Sequence, residues 1–403
     1  MASNGTPKPP RSPQFPQANA PRVWFLTNGA SPIAISLARK VLEHGDCVVA
    51  GVSPLEFEKN EDRSLEFKEF LEEVKRLERW REKLRVVGLD GRCAIAQCQA
   101  AIAEAVQAFG RIDVLLGCSS EAVIGTIEEL SQTPHTHSLA RSQLETTFHA
   151  SANIITAVLP HMRSRHNGHI IMLTGITGHL GTPGLGLYCA AQWALEGYCD
   201  SLAYEIAPFN IKMTIVQPNL EVGVLGNRIT AAPAMAEYAP EANPAPLARE
   251  LLGGLLDRLT GSGHATAASP GDDGVEGEDE NEDEDAAMAD AAAESPATSP
   301  ANISPLPSNA PHNPLPSDLL SSAAPPALYP HLPAAVKAAL IAETVHALAA
   351  IGGHDNPPAR HIVGFEGVAS VKEKLKTVSE ELEDFIEVSA GVDIGRGGEG
   401  GVM

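Results

Sequence analysis

Val23-Trp24-Phe25-Leu26-Thr27-Asn28-Gly29-Ala30-Ser31-Pro32-Ile33-Ala34 opens the patterned part of this 403-residue chain. Four apolar residues suit a short buried strand, and Thr27 to Ala30 suit a turn. Ser31-Pro32 then reads as a helix N-cap followed by proline at the first helical position. Apolar positions at helical spacing over Ile33 to Leu42 carry the helix on, and Cys47 to Val52 supplies the next β-type run.

The alternation continues outward. Further β-type runs are Leu84 to Val87, Ile112 to Leu116, His169 to Leu173, Ile211 to Val216 and His361 to Val363. Helical patterns fall over Ile102 to Phe109, Leu144 to Met162 and Ala190 to Ile206. Seven strands separated by helices predict an α/β fold with a doubly wound parallel sheet, and right-handed crossovers place helices on both faces. Glu61 to Lys83 is highly charged, with Leu65, Phe70, Leu71, Val74 and Leu77 at three- and four-residue spacing. It predicts one amphipathic surface helix.

Composition sets the boundaries. Of 31 prolines, six lie in residues 1–21 and eleven in residues 260–330. The second stretch also holds thirteen Asp or Glu and no Lys or Arg, more than half of the formal charge of −22. Eight acids crowd into Glu276 to Asp285. Such a segment buries too little apolar surface to offset its ordering entropy. The expected organisation is therefore a disordered Pro-rich leader over 1–21, one domain over 22–390 interrupted by a disordered acidic insertion over 260–327, and a Gly-rich tail over 391–403. Helices are predicted on the far side of the insertion, from about Pro333 to Ile351 and from Val368 to Glu387.

An acidic chain without clustered Lys and Arg is not expected to bind nucleic acid. No apolar run is long enough to span a bilayer, and Met1 is not followed by a basic region and an apolar core, so no membrane association is expected. Six cysteines at Cys47, Cys93, Cys98, Cys118, Cys189 and Cys199 show no metal-ligand spacing. No metal site is expected, and the thiols are expected to be reduced in a cytoplasmic compartment.

Three segments in this order resemble the short-chain dehydrogenase/reductase family. They are Val23-Trp-Phe-Leu-Thr27 leading to Ala38-Arg-Lys-Val-Leu-Glu-His-Gly-Asp46, Gly110-Arg-Ile-Asp-Val-Leu-Leu116, and Pro183-Gly-Leu-Gly-Leu-Tyr188 leading to Ala194-Leu-Glu-Gly197. The similarity covers nearly all of Arg22 to Thr260 and returns more weakly from Leu328 to Ser389. It implies a Rossmann-type sheet and hydride transfer with NAD(P). In the family a Tyr passes the substrate proton, a Lys lowers that Tyr pKa and holds the ribose, a Ser polarises the carbonyl, and an Asn completes a proton relay.

The resemblance carries these roles onto altered positions. The Tyr falls on Tyr188, but the Lys position is Gln192, whose neutral amide supplies no charge to lower a phenol pKa. Gln192 could still hydrogen-bond a ribose hydroxyl. The Ser position is Gly175. Thr174, on the opposite face of its strand, is a poor substitute, whereas Thr177 in the following loop could serve. The relay Asn corresponds to Thr147. Tyr188 reads equally as a partly buried core residue.

The cofactor end departs likewise. The family's Thr-Gly-x-x-x-Gly-x-Gly aligns with Thr27 to Ala34, placing Asn28, Pro32 and Ala34 at the three glycines. Asn28 suits a left-handed turn and Ala34 adds only a methyl. Pro32 adds a ring and deletes an N–H where the family's backbone approaches a pyrophosphate. Ser31, capping the helix, leaves its N-terminus attractive to an anion. Asp90 matches the family's adenine-contacting Asp and reads equally as a helix N-cap or turn residue. Nothing in Gly51-Val-Ser53 selects NAD or NADP.

NAD(P) is thus the expected cofactor if any binds, at Thr27, Asn28, Ser31, Ala34, Asp90 and Gln192. The joint changes point to a degenerate member with a binding or scaffold role. An active oxidoreductase using Tyr188 is the alternative. A third reading is a homodimer or a partner subunit of an active relative, assembled through Leu144 to Met162 and Tyr188 to Pro208, with Trp193, Leu195, Tyr198, Leu202 and Ile206 as candidate contacts. The acidic insertion, emerging near the expected site, suits a basic protein partner.

Overall fold

The computed structural model describes residues 14–54, 62–118, 121–218, 229–233, 235–238, 334–384 and 386. These belong to one compact unit built from residues 1–262 and 325–403. The acidic insertion, the Gly-rich tail and residues 1–13 of the leader lie outside the described residues.

Strands are β1 (Val23–Leu26), β2 (Cys47–Val52), β3 (Leu84–Gly88), β4 (Val114–Gly117), β5 (Ala122–Ile124), β6 (Gly168–Leu173), β7 (Ile211–Pro218), β8 (Ile229–Ala231) and β9 (Arg360–Val363). Helices are α1 (Pro32–His44), α2 (Asp62–Arg76), α3 (Glu78–Arg81), α4 (Ile95–Phe109), α5 (Pro134–Leu144), α6 (Ala150–Arg165), α7 (Gly186–Ile206), α8 (Ala334–Ile351) and α9 (Phe365–Asp384). Seven strands form a parallel sheet in the order β3-β2-β1-β4-β6-β7-β9. All seven β-type runs became strands of this Rossmann-type sheet, because each is a short apolar segment bounded by turn residues.

Side-chain alternation along β1 divides the core. Trp24 and Leu26 join α1, α2 and α8 on one face, while Val23 and Phe25 join α4, α6 and α7 on the other. Strand order reverses direction between β1 and β4, the place where open α/β sheets hold their ligands. There the Thr27 amide donates to the Leu116 carbonyl at 3.1 Å, and Thr27 Oγ1 accepts from the Cys118 amide at 3.0 Å.

The chain from Ala334 onward completes this sheet. β9 pairs with β7 from Ile215↔Arg360 to Pro218↔Val363. At the end of α8, Gly352 lies against the fully buried Trp24 ring, where a Cβ would collide with Trp24 Cη2. Next to it, His169 in β6 forms a buried chain. His169 Nδ1 accepts from the Gly353 amide at 3.1 Å, so Nε2 carries the proton and faces Thr214 Oγ1 at 2.9 Å. That hydroxyl donates to the Pro358 carbonyl at 2.7 Å. Burial, with a smaller contribution from Lys212, His354 and Arg22, pushes the His169 pKa down to about 3.

Four local expectations differ. Residues 14–21 are not a loose leader: Phe15 stacks on His44 at 4.3 Å and meets Trp24 edge-on, and Arg22 clasps the carbonyls of Pro16 and Gln17. The charged segment is two helices, because Leu77 is extended and turns α3 away so that Trp80 is buried. The long helix from Leu144 begins as a π turn over Glu145–His149 before α6. A second parallel sheet, β5 with β8, has no counterpart in the sequence reading, since three-residue strands leave no periodicity to detect.

Candidate functional site

The β1–α1 turn is built by Ser31. Its Oγ accepts from the Ala34 amide at 3.3 Å and donates to the Asn28 carbonyl at 2.8 Å, and Pro32 is the first helical residue. The N-cap read from Ser31-Pro32 is therefore present. Asn28 has no positive φ; among the described non-glycine residues only His166 and Asn210 do. The left-handed turn expected there is replaced by an ordinary one closed by the Ser31 amide on the Asn28 carbonyl at 3.0 Å. Replacing Ser31 with Ala should cost about 1 kcal/mol in urea unfolding, and a change within error would show that the cap is idle.

These bonds bear on a pyrophosphate. The Gly29 amide donates to the Gly51 carbonyl at 2.7 Å, the Ser31 and Ala34 amides are engaged as above, and Pro32 has none. Between Gly29 and Ala34, at most the Ala30 and Ile33 amides are left to meet an anion. Gly29 to Ala34 are all buried, with Ala34 fully so against the core. The residues present do not form a nucleotide cradle of the kind that the aligned glycines would give.

Thr27 and Asp90 do come together. With Leu89, Gly91, Cys93, Ala150, Ser151 and Ile154 they line an open recess at the carboxyl end of the sheet. Asp90 is a turn residue, its carbonyl accepting from the Cys93 amide at 3.2 Å. It does not cap α4, whose N-cap is Ala94, held by the Gln97 side chain on the Ala94 amide at 3.2 Å. Ser31, Ala34, Tyr188 and Gln192 are not in the lining of this recess.

Tyr188 and Gln192 stand one turn apart on α7. Tyr188 is fully buried, not partly, among Ala122, Ile124, Leu185 and Cys189. Gln192 Nε2 donates to Tyr188 Oη at 2.8 Å, and Gln192 Oε1 is buried with no partner among the described residues. Gly175 is extended, at φ −169°. Thr174 Oγ1 donates to Glu196 Oε1 at 2.7 Å and so is committed elsewhere. Thr177 is buried within the turn Ile176–Gly178, with its carbonyl accepting from Trp193 Nε1 at 2.8 Å.

Thr147, in the π turn, is buried, and its hydroxyl accepts from Gln143 Nε2 at 2.8 Å. Gln143 also donates to the Glu121 carbonyl and accepts from the Val123 amide, pinning β5. Thr147 is thus engaged in a structural clamp.

Glu196, which sequence reasoning missed, organises the other side. Its Oε1 accepts from Thr174 and from Gln217 Nε2, both at 2.7 Å, and its Oε2 pairs with Arg360 at 3.1 Å. Gln217 Oε1 in turn contacts His179 Nε2 at 3.1 Å. Gly178 makes room, since a Cβ there would collide with Glu196 Oε1. The available signal was a carboxylate at i+4 from Gln192 and i+8 from Tyr188, on the buried stripe of α7.

Comparison with known proteins places these features in context. The family profile described as short chain dehydrogenase matches residues 22–224. The chain is 28% identical over 197 residues to oxidoreductase BOA17 of Botryotinia fuckeliana, covering 49% of this chain and 65% of that protein. It is 35% identical over 147 residues to 3-ketodihydrosphingosine reductase of Bacteroides thetaiotaomicron, covering 36% of this chain and 52% of the relative. Human retinol dehydrogenase 8 is 32% identical over 147 residues, covering 36% and 43%. The match therefore spans less than two thirds of these relatives. A short-chain dehydrogenase from Streptomyces avermitilis shares the fold with a TM-score of 0.59 and 19% identity, over 93% of this chain and all of that one.

Proposed function

The chain belongs to the short-chain dehydrogenase family, and from that premise we propose that it is a degenerate member in which binding or scaffolding has replaced hydride transfer. The carrying observation is the pair on α7: a fully buried Tyr188 whose hydroxyl is held by a neutral Gln192 amide. An amide at that position fixes the phenol but brings no positive charge to favour phenolate. Gly175 offers no hydroxyl to a carbonyl, Thr174 is bound to Glu196, and Thr147 is bound to Gln143. Groups that act as a unit are not replaced one at a time.

The engaged amides from Gly29 to Ala34 and the proline at position 32 support weak or absent NAD(P) binding. What the turn retains is a capped helix. We assign the protein a partner-binding role, with the acidic stretch Glu276 to Asp285 as the element suited to a basic partner. Of the α7 residues considered for self-association, Leu195, Leu202 and Ile206 are core, whereas Trp193 is half exposed. No described helix is long and apolar enough to cross a membrane.

A second reading, an active oxidoreductase using Tyr188, is favoured by one observation. The unpartnered Gln192 Oε1 is an acceptor that a ribose hydroxyl would satisfy. Titrating oxidised and reduced NAD and NADP while following Tm separates the two. The degenerate reading expects no shift at millimolar nucleotide. A ligand at a hundred times its Kd would stabilise by about 2.7 kcal/mol, a rise of roughly 5–10 °C. Such a rise, with turnover lost in Tyr188→Phe, would overturn the proposal.

A further inference from the structure

We propose that Cys93 and Cys98 are a peroxide-reactive dithiol that closes into a disulfide at the N-terminus of α4, in the wall of the Thr27–Asp90 recess. Their sulfurs lie 2.9 Å apart, nearer than unbonded sulfur atoms ordinarily pack, and both residues are buried. Cys93 immediately precedes the N-cap Ala94, and Cys98 is the fourth helical residue. These are the two positions at which apolar side chains commonly clasp a helix start. Here both halves of the clasp are thiols, so the contact can become covalent.

Three observations make Cys93 the attacking sulfur. It lines the recess and Cys98 does not, so it is the sulfur nearer an incoming oxidant. It sits at the electropositive end of α4, which favours a thiolate. The hydrogen bond shared by the two thiols, in which either sulfur can donate, holds Cys93 below the ordinary thiol range and Cys98 above it. Cys47, less buried than the other cysteines, is instead raised by burial, and Cys199 is pushed up to about 12. Asn153 Nδ2 donates to the Cys93 carbonyl at 3.1 Å, so α6 holds the attacking residue in place.

The chemistry balances with hydrogen peroxide as oxidant. The Cys93 thiolate attacks one peroxide oxygen, the O–O bond breaks, and hydroxide leaves, giving a sulfenic acid on Cys93. Cys98 Sγ then attacks Cys93 Sγ, displacing the sulfenic oxygen, which departs as water with the Cys98 proton. Two thiols have lost two electrons, and one peroxide has become two waters once the hydroxide takes a proton from solvent. None of this depends on whether a nucleotide binds.

The test uses the full chain. It is treated with millimolar peroxide at neutral pH, alkylated, and digested with trypsin. Cleavage after Arg92 and Arg111 releases a peptide holding Cys93, Cys98 and no other cysteine. The expected product is that peptide two hydrogens lighter, unalkylated, and restored by dithiothreitol. In Cys98→Ala, the sulfenic acid on Cys93 should be trapped by dimedone; in Cys93→Ala, Cys98 should stay a free thiol. Closure of so short a loop should raise Tm by roughly 4 °C. Recovery of the wild-type peptide alkylated at both cysteines while Cys47 is oxidised would overturn the proposal, and that measurement stands even if a variant does not fold.

Discussion

Lowering the pH from about 7.5 to about 4.5 will cost the folded protein roughly 3 kcal/mol through one side chain, His169. Its pKa is about 3 in the fold, against the ordinary 6.5 of an unfolded histidine. Below pH 6.5 the unfolded chain takes up a proton that the native state refuses, so unfolding is favoured as pH falls. The loss is absent above pH 6.5, grows by roughly 1.4 kcal/mol per pH unit, and levels off near pH 3. Protonation would also leave Nδ1 with a hydrogen facing the Gly353 amide. His361 is lowered by burial as well and adds in the same direction. Urea midpoints of wild type and His169→Gln across this range provide the check. The variant should start lower and fall less steeply by about one proton; parallel curves would remove His169 from the account.

Replacing Arg360 with Met should destabilise the protein by about 2–3 kcal/mol, even though residue 360 belongs to a short edge strand. Glu196 is 5% exposed at its side chain and Arg360 32%, so the carboxylate left behind would be buried with only Thr174 and Gln217 as donors. Breaking a buried pair usually costs about 3–5 kcal/mol; the partial exposure of the guanidinium, which also reaches Asp200, reduces that figure. Glu196→Leu combined with Arg360→Met should recover part of the loss, giving a coupling energy of about 1 kcal/mol or more. Additive losses would mean that the pair does not act as one.

The fold was legible because a buried parallel strand is a short apolar run, and each of the seven announced itself locally. Ser31-Pro32 was legible for the same reason, since a cap is settled within four residues. Trp80, by contrast, is buried only because Leu77 breaks the helix, and its charged neighbours gave no sign of this. Asp90 could be a cap or a turn until Ala94 and Gln97 were seen to share the start of α4. Glu196, Gln217, His179 and Arg360 form one network drawn from α7, β7, the turn after β6 and β9. No pattern within a window links residues that far apart. The resemblance singled out Gln192, Gly175 and Thr147, but the bonds that occupy Thr174 and Thr147 were not legible in the sequence.

The late arrival of β9 matters while the protein is being made. Every other strand of the main sheet ends by Pro218, whereas Arg360 to Val363 come after a long intervening stretch. At about 5–20 residues per second, a ribosome needs on the order of ten to thirty seconds to cover that interval. For that time the hydrogen-bonding edge of β7 has no neighbour on this side, and Glu196 has no guanidinium. Such an edge invites pairing with another nascent chain. Synthesis therefore exposes a vulnerable intermediate, and chaperone demand should fall on the emerging chain before β9 has left the ribosome.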